Sequence, residues 1–388
     1  MVSFKRSRQP AEPPEAAQPP AMGAGDEPTM PRPLPPPPPP NPTPALAPPG
    51  GLVGFGAGST DIDGVAQVVG ATAISQIVIG SPSPSVEPVV IGAKYQSLPF
   101  RPDVVLDGWS TEAITVRGVS QRGHLHRYNG APRQDDFTAH HLPDGRVVVT
   151  VADGVSGAAQ SHLGASTATR HAAELLCTHP HPEVIDWSGL IKSTAWALTE
   201  RTQVLLGLAE PDPVRAEEQL ATTLVCAVIE PTATGSLRAH LVGVGDSSAW
   251  LLLASGRFVE LLGAKAVTAE GLSTSAVAGL PRVPAEVVPV VVEVTAGEVL
   301  VIGTDGIGDP LGGGQGGVGN LLREVLIGGG TPSLIEFAHA VDFSRETFDD
   351  DRTLVAVWPR PPMPVSSTSR ARHRQAPGPP PAGLAPLP

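Results

Sequence analysis

The sequence predicts an α+β layered domain, antiparallel sheets with helices outside them, carried between two proline-rich ends. Three observations predict it. The strand-like segments come in runs and the helix-like segments in pairs, which is not the strict alternation of a doubly wound sheet. Of the 45 prolines, 18 lie in residues 1–50 and 10 in residues 359–388, so the middle has an ordinary proline density and the ends are low-complexity. That middle of roughly 300 residues is long enough to bury a sizeable core as one unit.

The elements follow in order. Residues 1–60 are expected to be a disordered arm, because the run 35–40 favours a solvated polyproline II helix that buries nothing. Residues 61–110 form a poorly defined extension, with short apolar pieces at 65–69, 77–79 and 89–91. The main domain spans 111–358. Residues 113–119 alternate loosely and 146–152 are β-branched, so both predict strands. Residues 157–177 and 187–206 carry Ala and Leu at helical spacing. Strands are predicted over 222–229, 237–244, 248–253 and 258–261, then over 289–294 and 298–302 across a Thr295-Ala296-Gly297 turn. Helices at 318–327 and 333–343 precede a last strand at 352–358. Gly312–Gly319 lacks the Lys and Ser/Thr of a phosphate loop and reads as a flexible flap, and the glycines at 328–330 read as a helix stop. A Pro/Arg tail, 359–388, is expected to be disordered.

Composition removes several classes of function. The net charge is −12, the first 50 residues are neutral and the segment from Arg360 onward is +4, so the middle carries about −16. No basic excess exists to neutralise a nucleic-acid backbone. Two cysteines, Cys177 and Cys226, build neither a disulfide framework nor a zinc ribbon, and read as small apolar side chains in a reduced, cytoplasmic setting. No signal peptide is expected at the N-terminus, and the longest uncharged stretch, from Gly64, is too polar for a membrane span. Trp187, Trp196 and Trp250 are expected in the core, and His179-Pro180-His181 in a loop without a third metal ligand.

Carboxylates recur where predicted strands stop. The segments are Arg133-Gln134-Asp135-Asp136, Val151-Ala152-Asp153-Gly154, Gly245-Asp246-Ser247, Thr304-Asp305-Gly306-Ile307-Gly308-Asp309 and Asp349-Asp350-Asp351-Arg352-Thr353. One aspartate at a strand end is an ordinary turn residue. Several on the edge of a rigid sheet, two of them followed by a glycine that lets backbone or ligand come close, suit a site. Oxygen donors with few histidines suit hard cations such as Mg²⁺ or Mn²⁺, and without cations their mutual repulsion would be severe.

In this order, these segments resemble the metal-dependent serine/threonine protein phosphatases of the PPM (PP2C-like) family, bacterial type. The motifs are Gln134-Asp135, Ala152-Asp153-Gly154, the strand start at Ala221–Leu224, Gly245–Ser247, Thr304–Asp309 and Asp350–Thr353, within about 63% of the chain. The resemblance implies a four-layer α-β-β-α sandwich with two Mn²⁺ or Mg²⁺ ions at one end of the sheets, and a weaker third. By that likeness Asp153 bridges both ions, the Gly154 carbonyl ligates one, Asp305 and Asp350 bind the other, and Asp135 acts largely through bound water. Asp246 and Asp309 match positions that join Asp305 around the third ion. The implied chemistry is in-line attack on phosphorus by a hydroxide between two cations about 4 Å apart, which lower the pKa of water toward ~7. The implied partner is a phosphorylated protein, in opposition to a Ser/Thr kinase, with the enzyme monomeric and engaging neither nucleic acid nor membrane.

Three departures stand out. Gln134 is neutral where many members have Glu. Val155 replaces the histidine that follows Asp-Gly in many eukaryotic members. The phosphate-binding Arg has three candidates, Arg122, Arg127 and Arg133, with His126 nearby; Arg133 is favoured as the catalytic one beside Asp153, Asp305 and Asp350. A second reading keeps the fold as a weak or inactive module that binds phosphoproteins as a scaffold.

Overall fold

The computed structural model describes residues 76–84, 103–178, 181–263 and 279–360. The arm 1–60, most of the extension, His179-Pro180 and the tail beyond Arg360 lie outside the described residues.

Eleven strands and seven helices are formed among the described residues. Strands β1 (Val104–Ser110), β2 (Ile114–Gln121), β7 (Ser248–Leu252), β8 (Phe258–Leu262), β10 (Val299–Gly303) and β11 (Arg352–Pro359) make a six-stranded antiparallel sheet in the order β1-β2-β11-β10-β7-β8. Strands β3 (Asp136–His141), β4 (Val147–Ala152), β5 (Leu224–Pro231), β6 (Leu237–Val244) and β9 (Val290–Val294) make a five-stranded antiparallel sheet in that order.

Side-chain alternation stacks the layers. Along β11, Val355 and Val357 face the other sheet while Leu354, Ala356 and Trp358 face helices. Along β5, Val225, Ala227 and Ile229 meet the inter-sheet core, and Leu224, Cys226 and Val228 meet the outer one. Strands buried on both faces must be apolar at every position, hence their unbroken Val/Ile/Leu/Ala runs. Helices α2 (Ser161–Thr178), α3 (Trp187–Leu206) and α4 (Pro213–Leu220) cover the five-stranded sheet. Helices α5 (Asp305–Leu311), α6 (Gly317–Arg323) and α7 (Leu334–Val341) cover the six-stranded one. The result is the α-β-β-α sandwich.

Several elements differ from the sequence expectation. β1 lies within the stretch read as an extension, yet it pairs with β2 along its whole length, Val104 opposite Gln121 to Ser110 opposite Thr115. The short helices α1 (His124–Asn129), α4 and α5 carry too few residues to show a period. Val318–Ile327 divides into α6 and a π segment, Glu324–Gly328, and α6 begins inside the glycine-rich stretch read as a flap. Trp187 and Trp250 are buried, but Trp196 is 51% exposed. It falls off the stripe Leu190, Ile191, Thr194, Ala195 and Leu198 by which α3 packs. Ser333 caps α7 by accepting the Glu336 N–H, which fixes that helix start as expected.

Candidate active site

Strand pairing brings the aspartate segments to one end of both sheets. Gly303, the last residue of β10, lies opposite Ser248 at the start of β7 and opposite Leu354 near the start of β11. The turns carrying Asp246, Asp305 and Asp350 therefore share one edge. In the other sheet Asp136 lies opposite Ala152, which sets Asp135 beside Asp153.

Asp153, Asp246, Asp305 and Asp350 line a cavity of about 250 Å³ together with Val155 and Thr223. A second chamber of about 230 Å³ shares Asp246 and Asp305 and adds Asp309, Ser248 and Glu260. Among the described residues, no Lys, Arg or His lines either. Asp135 sits behind them, buried, with Oδ2 accepting from Thr304 Oγ1 at 2.7 Å and Thr353 Oγ1 at 2.8 Å. These two threonines belong to the six-stranded sheet side and Asp135 to the five-stranded side, so this carboxylate ties the sheets together at the site.

The Asp153 backbone is held from both directions. Its N–H donates to Thr223 Oγ1 at 2.9 Å, and its carbonyl accepts from Thr223 N–H at 2.7 Å and Thr222 Oγ1 at 2.8 Å. Gly154 is required by a close approach: a Cβ there would lie 2.7 Å from the Ser161 carbonyl carbon at the start of α2. Its N–H donates to the Gln134 carbonyl at 3.2 Å, and the Gln134 side-chain oxygen accepts from Ser161 Oγ at 2.9 Å. Gln134 is thus a structural link between β3 and α2, a use open to a neutral amide.

Protons are held tightly in this crowd. Burial, then the charge of Asp350 with Asp246 and Asp309 behind it, pushes the Asp305 carboxyl up to about 6. Burial and the charges of Asp135, Asp305 and Asp350 hold Asp153 well above the usual carboxylate range. Burial and Asp351 do the same for Asp135, against the pull of its two hydroxyl donors. Asp350 is also raised, by burial and by Asp351.

Of the sequence-predicted residues, the carboxylates converge and Arg133 does not join them. Arg133 has 0% of its surface exposed, and its guanidinium donates to Ser120 Oγ and to the Asp135 carbonyl. A side chain with no open face has none to turn toward a phosphate. Arg122 is buried too, donating to Asp103 and to the His126 carbonyl, and Arg127 pairs with Asp342 at 3.6 Å. His126 is buried with Nδ1 2.9 Å from Asp351 Oδ1 and 4.0 Å from Asp350 Oδ1. Burial alone would lower its pKa, but Asp351, Asp350 and Asp135 outweigh that and raise it. Thr223, Thr304, Thr353, Asp351 and Glu260 are site residues that sequence reasoning did not single out. The threonines and Asp351 lie inside quoted motifs, which was their only signal.

A family model described as protein phosphatase 2C matches residues 122–325. Among solved structures, the serine/threonine phosphatase Stp1 from Staphylococcus aureus is 15% identical with a TM-score of 0.45, over 63% of this chain and 94% of that one. The catalytic domain of the serine threonine protein phosphatase PstP, in complex with two manganese ions, is 18% identical with a TM-score of 0.44, over 64% and 98%. RsbX in complex with magnesium is 13% identical with a TM-score of 0.43, over 66% and 100%. No curated protein sequence matches the chain. No helix among the described residues is long and apolar enough to cross a membrane.

Proposed function

The chain belongs to the protein phosphatase 2C family, and we propose that it hydrolyses phosphoserine and phosphothreonine in proteins with Mn²⁺ or Mg²⁺ as cofactor. The observation that carries this reading is the convergence of Asp153, Asp246, Asp305 and Asp350 on one cavity that has no basic side chain among its described lining residues. Oxygen-only donors fit hard cations, and buried like charges this close hold protons until cations replace them. Asp153, Asp305, Asp350 and the Gly154 carbonyl would hold two ions, with Asp135 at longer reach. Asp246 and Asp309, with Asp305, would hold a weaker third. Bound there, the cations supply the acidity that makes water a nucleophile near neutral pH and the positive charge that phosphoryl transfer needs.

The chain's own residues orient and shape the site. The hydroxyls of Thr304 and Thr353 fix the Asp135 carboxylate, and Thr222 and Thr223 fix the Asp153 backbone. Arg133 positions Asp135 through its carbonyl, a role that suits a fully buried guanidinium better than phosphate contact. Val155 lines the cavity and carries no proton, so protonation of the leaving group falls to water or to another side chain. A cavity of about 250 Å³ with four carboxylates among its described lining residues suits a phosphoryl group carried on a protruding side chain. Its setting would be cytoplasmic, acting as a monomer against a Ser/Thr kinase.

The test is hydrolysis of p-nitrophenyl phosphate and of a phosphothreonine peptide. Turnover is expected with Mn²⁺, is abolished by EDTA, and is lost in Asp153→Ala. Protein that binds two Mn²⁺ yet turns over neither compound would sink the catalytic reading in favour of a scaffold.

A further inference from the structure

We infer that Asp351 is a positioning residue, a carboxylate clasp that holds the Asp135 loop and helix α1 against the start of β11, where Asp350 sits. The inference rests on the phosphatase reading of the site. Asp351 is 2% exposed. Its Oδ1 accepts the Gly123 N–H at 2.6 Å and lies 2.9 Å from His126 Nδ1. Its Oδ2 accepts the Gln134 N–H at 2.5 Å. Gly123 precedes α1, Gln134 immediately precedes Asp135, and the Asp351 N–H in turn donates to Asp350 Oδ1 at 2.8 Å. One carboxylate therefore joins its own segment to two others more than 200 residues earlier in the chain, the start of α1 and the loop before Asp135.

The same atoms invite another assignment. His126, Asp350 and Asp351 bring three potential ligand atoms within 4.8 Å of one another, a spacing a metal ion could use. The hydrogen bonds favour the clasp. Each Asp351 oxygen already faces a backbone N–H hydrogen, and a cation there would have to displace donors that cannot rotate away. Gly123 gives the same indication: a Cβ at that position would lie 2.2 Å from the Asp350 carbonyl carbon, so glycine is what lets the N–H reach Asp351. Groups that orient metal ligands are worth about 10–100-fold in metal affinity or activity when removed.

The full chain carrying Asp351→Asn tests this. The variant is isosteric, but its amide nitrogen must face an N–H donor on one side and release it. Calorimetry with Mn²⁺ should give a Kd raised about 10–100-fold with the number of bound ions unchanged. Hydrogen exchange at the Gly123 or Gln134 amide should accelerate, while the Gly154 amide, held by the Gln134 carbonyl, stays protected relative to it. With p-nitrophenyl phosphate at saturating Mn²⁺, kcat should fall more than KM rises. An affinity within twofold of wild type would overturn the clasp. So would loss of one ion from the count in Asp351→Asn or in His126→Gln, which would make the trio a cation site. If Asp351→Asn does not fold, wild-type protein decides: the clasp requires Gly123 and Gln134 amides protected with and without Mn²⁺, and their deprotection on Mn²⁺ addition refutes it. Binding and exchange are read without turnover, so an inactive wild type that takes up Mn²⁺ would sink the phosphatase reading and leave the clasp standing.

Discussion

Raising the pH should destabilise the metal-free protein, and Asp305 sets the size of the effect. Its carboxyl titrates at about 6 in the fold against an ordinary value of 3.8. A shift of about two units corresponds to about 3 kcal/mol, at ~1.36 kcal/mol per unit. The folded state holds the proton more tightly than the unfolded chain, so this contribution is fully present below pH ~4 and is lost as pH rises through ~6. Asp153 and Asp135 are shifted in the same direction and add to the loss. In a domain of 150–250 residues ~1 kcal/mol moves the melting temperature by roughly 2–4 °C, which predicts a fall of roughly 6–12 °C from Asp305. Differential scanning calorimetry on EDTA-treated wild type and Asp305→Asn, from pH 4 to 7.5, reads the Asp305 titration together with its coupling to Asp153, whose carboxyl the Asp305 charge also raises. Wild type should lose roughly that much relative to the variant across the window. Saturating Mn²⁺ at pH 7.5 should restore it, because an ion at 100 times its Kd adds about 2.7 kcal/mol. Parallel melting curves for the two proteins would refute the reasoning, as would Mn²⁺ stabilisation equally large at pH 4.5 and pH 7.5.

Other perturbations probe separate parts of the site. At fixed sub-saturating Mn²⁺, hydrolysis of p-nitrophenyl phosphate should rise with pH through ~6 and beyond, since Asp305 and Asp153 must lose protons before they bind ions; a rate independent of pH there would contradict the raised values. Thr353→Val removes one of two hydroxyl donors that favour the Asp135 carboxylate, so the pH at which Mn²⁺ binds should move upward, and an unchanged midpoint would take Thr353 out of the site. Gly123→Ala drives a methyl into the Asp350 backbone and should cost about 2 kcal/mol or more, read as a lower melting temperature; an unchanged melt would show that the segment yields freely. Asp309→Asn should bind the two tight ions as wild type does and still lose turnover, and identical kinetics at every Mn²⁺ concentration would remove Asp309 from the site.

Some elements can be read from the chain alone because their evidence is local. β6 and α3 occupy the predicted spans, since apolar residues at every second position from Leu237 to Leu241 and a helical period over 20 residues need no partner to be visible. β1 and β3 are mixed in polarity, VVLDGWS and DFTAHH, and their identity depends on pairing with β2 and β4, which no local pattern records. Trp196 shows the same limit: hydrophobicity suggested the core, but the helix phase set by α2 packing turned it outward.

At the site the division is sharper. The sequence by itself determined the carboxylates, their glycine neighbours and their positions at strand ends, because those are properties of residue type next to an apolar run. Only the tertiary structure decided that Thr304 and Thr353 grip Asp135, that Arg133 is sealed behind it, and that Asp351 takes up the N–H groups of Gly123 and Gln134. Those partners lie as much as 228 residues apart in sequence. They meet because β11 pairs with both β2 and β10, and the register of that pairing comes from burying both faces of the strand.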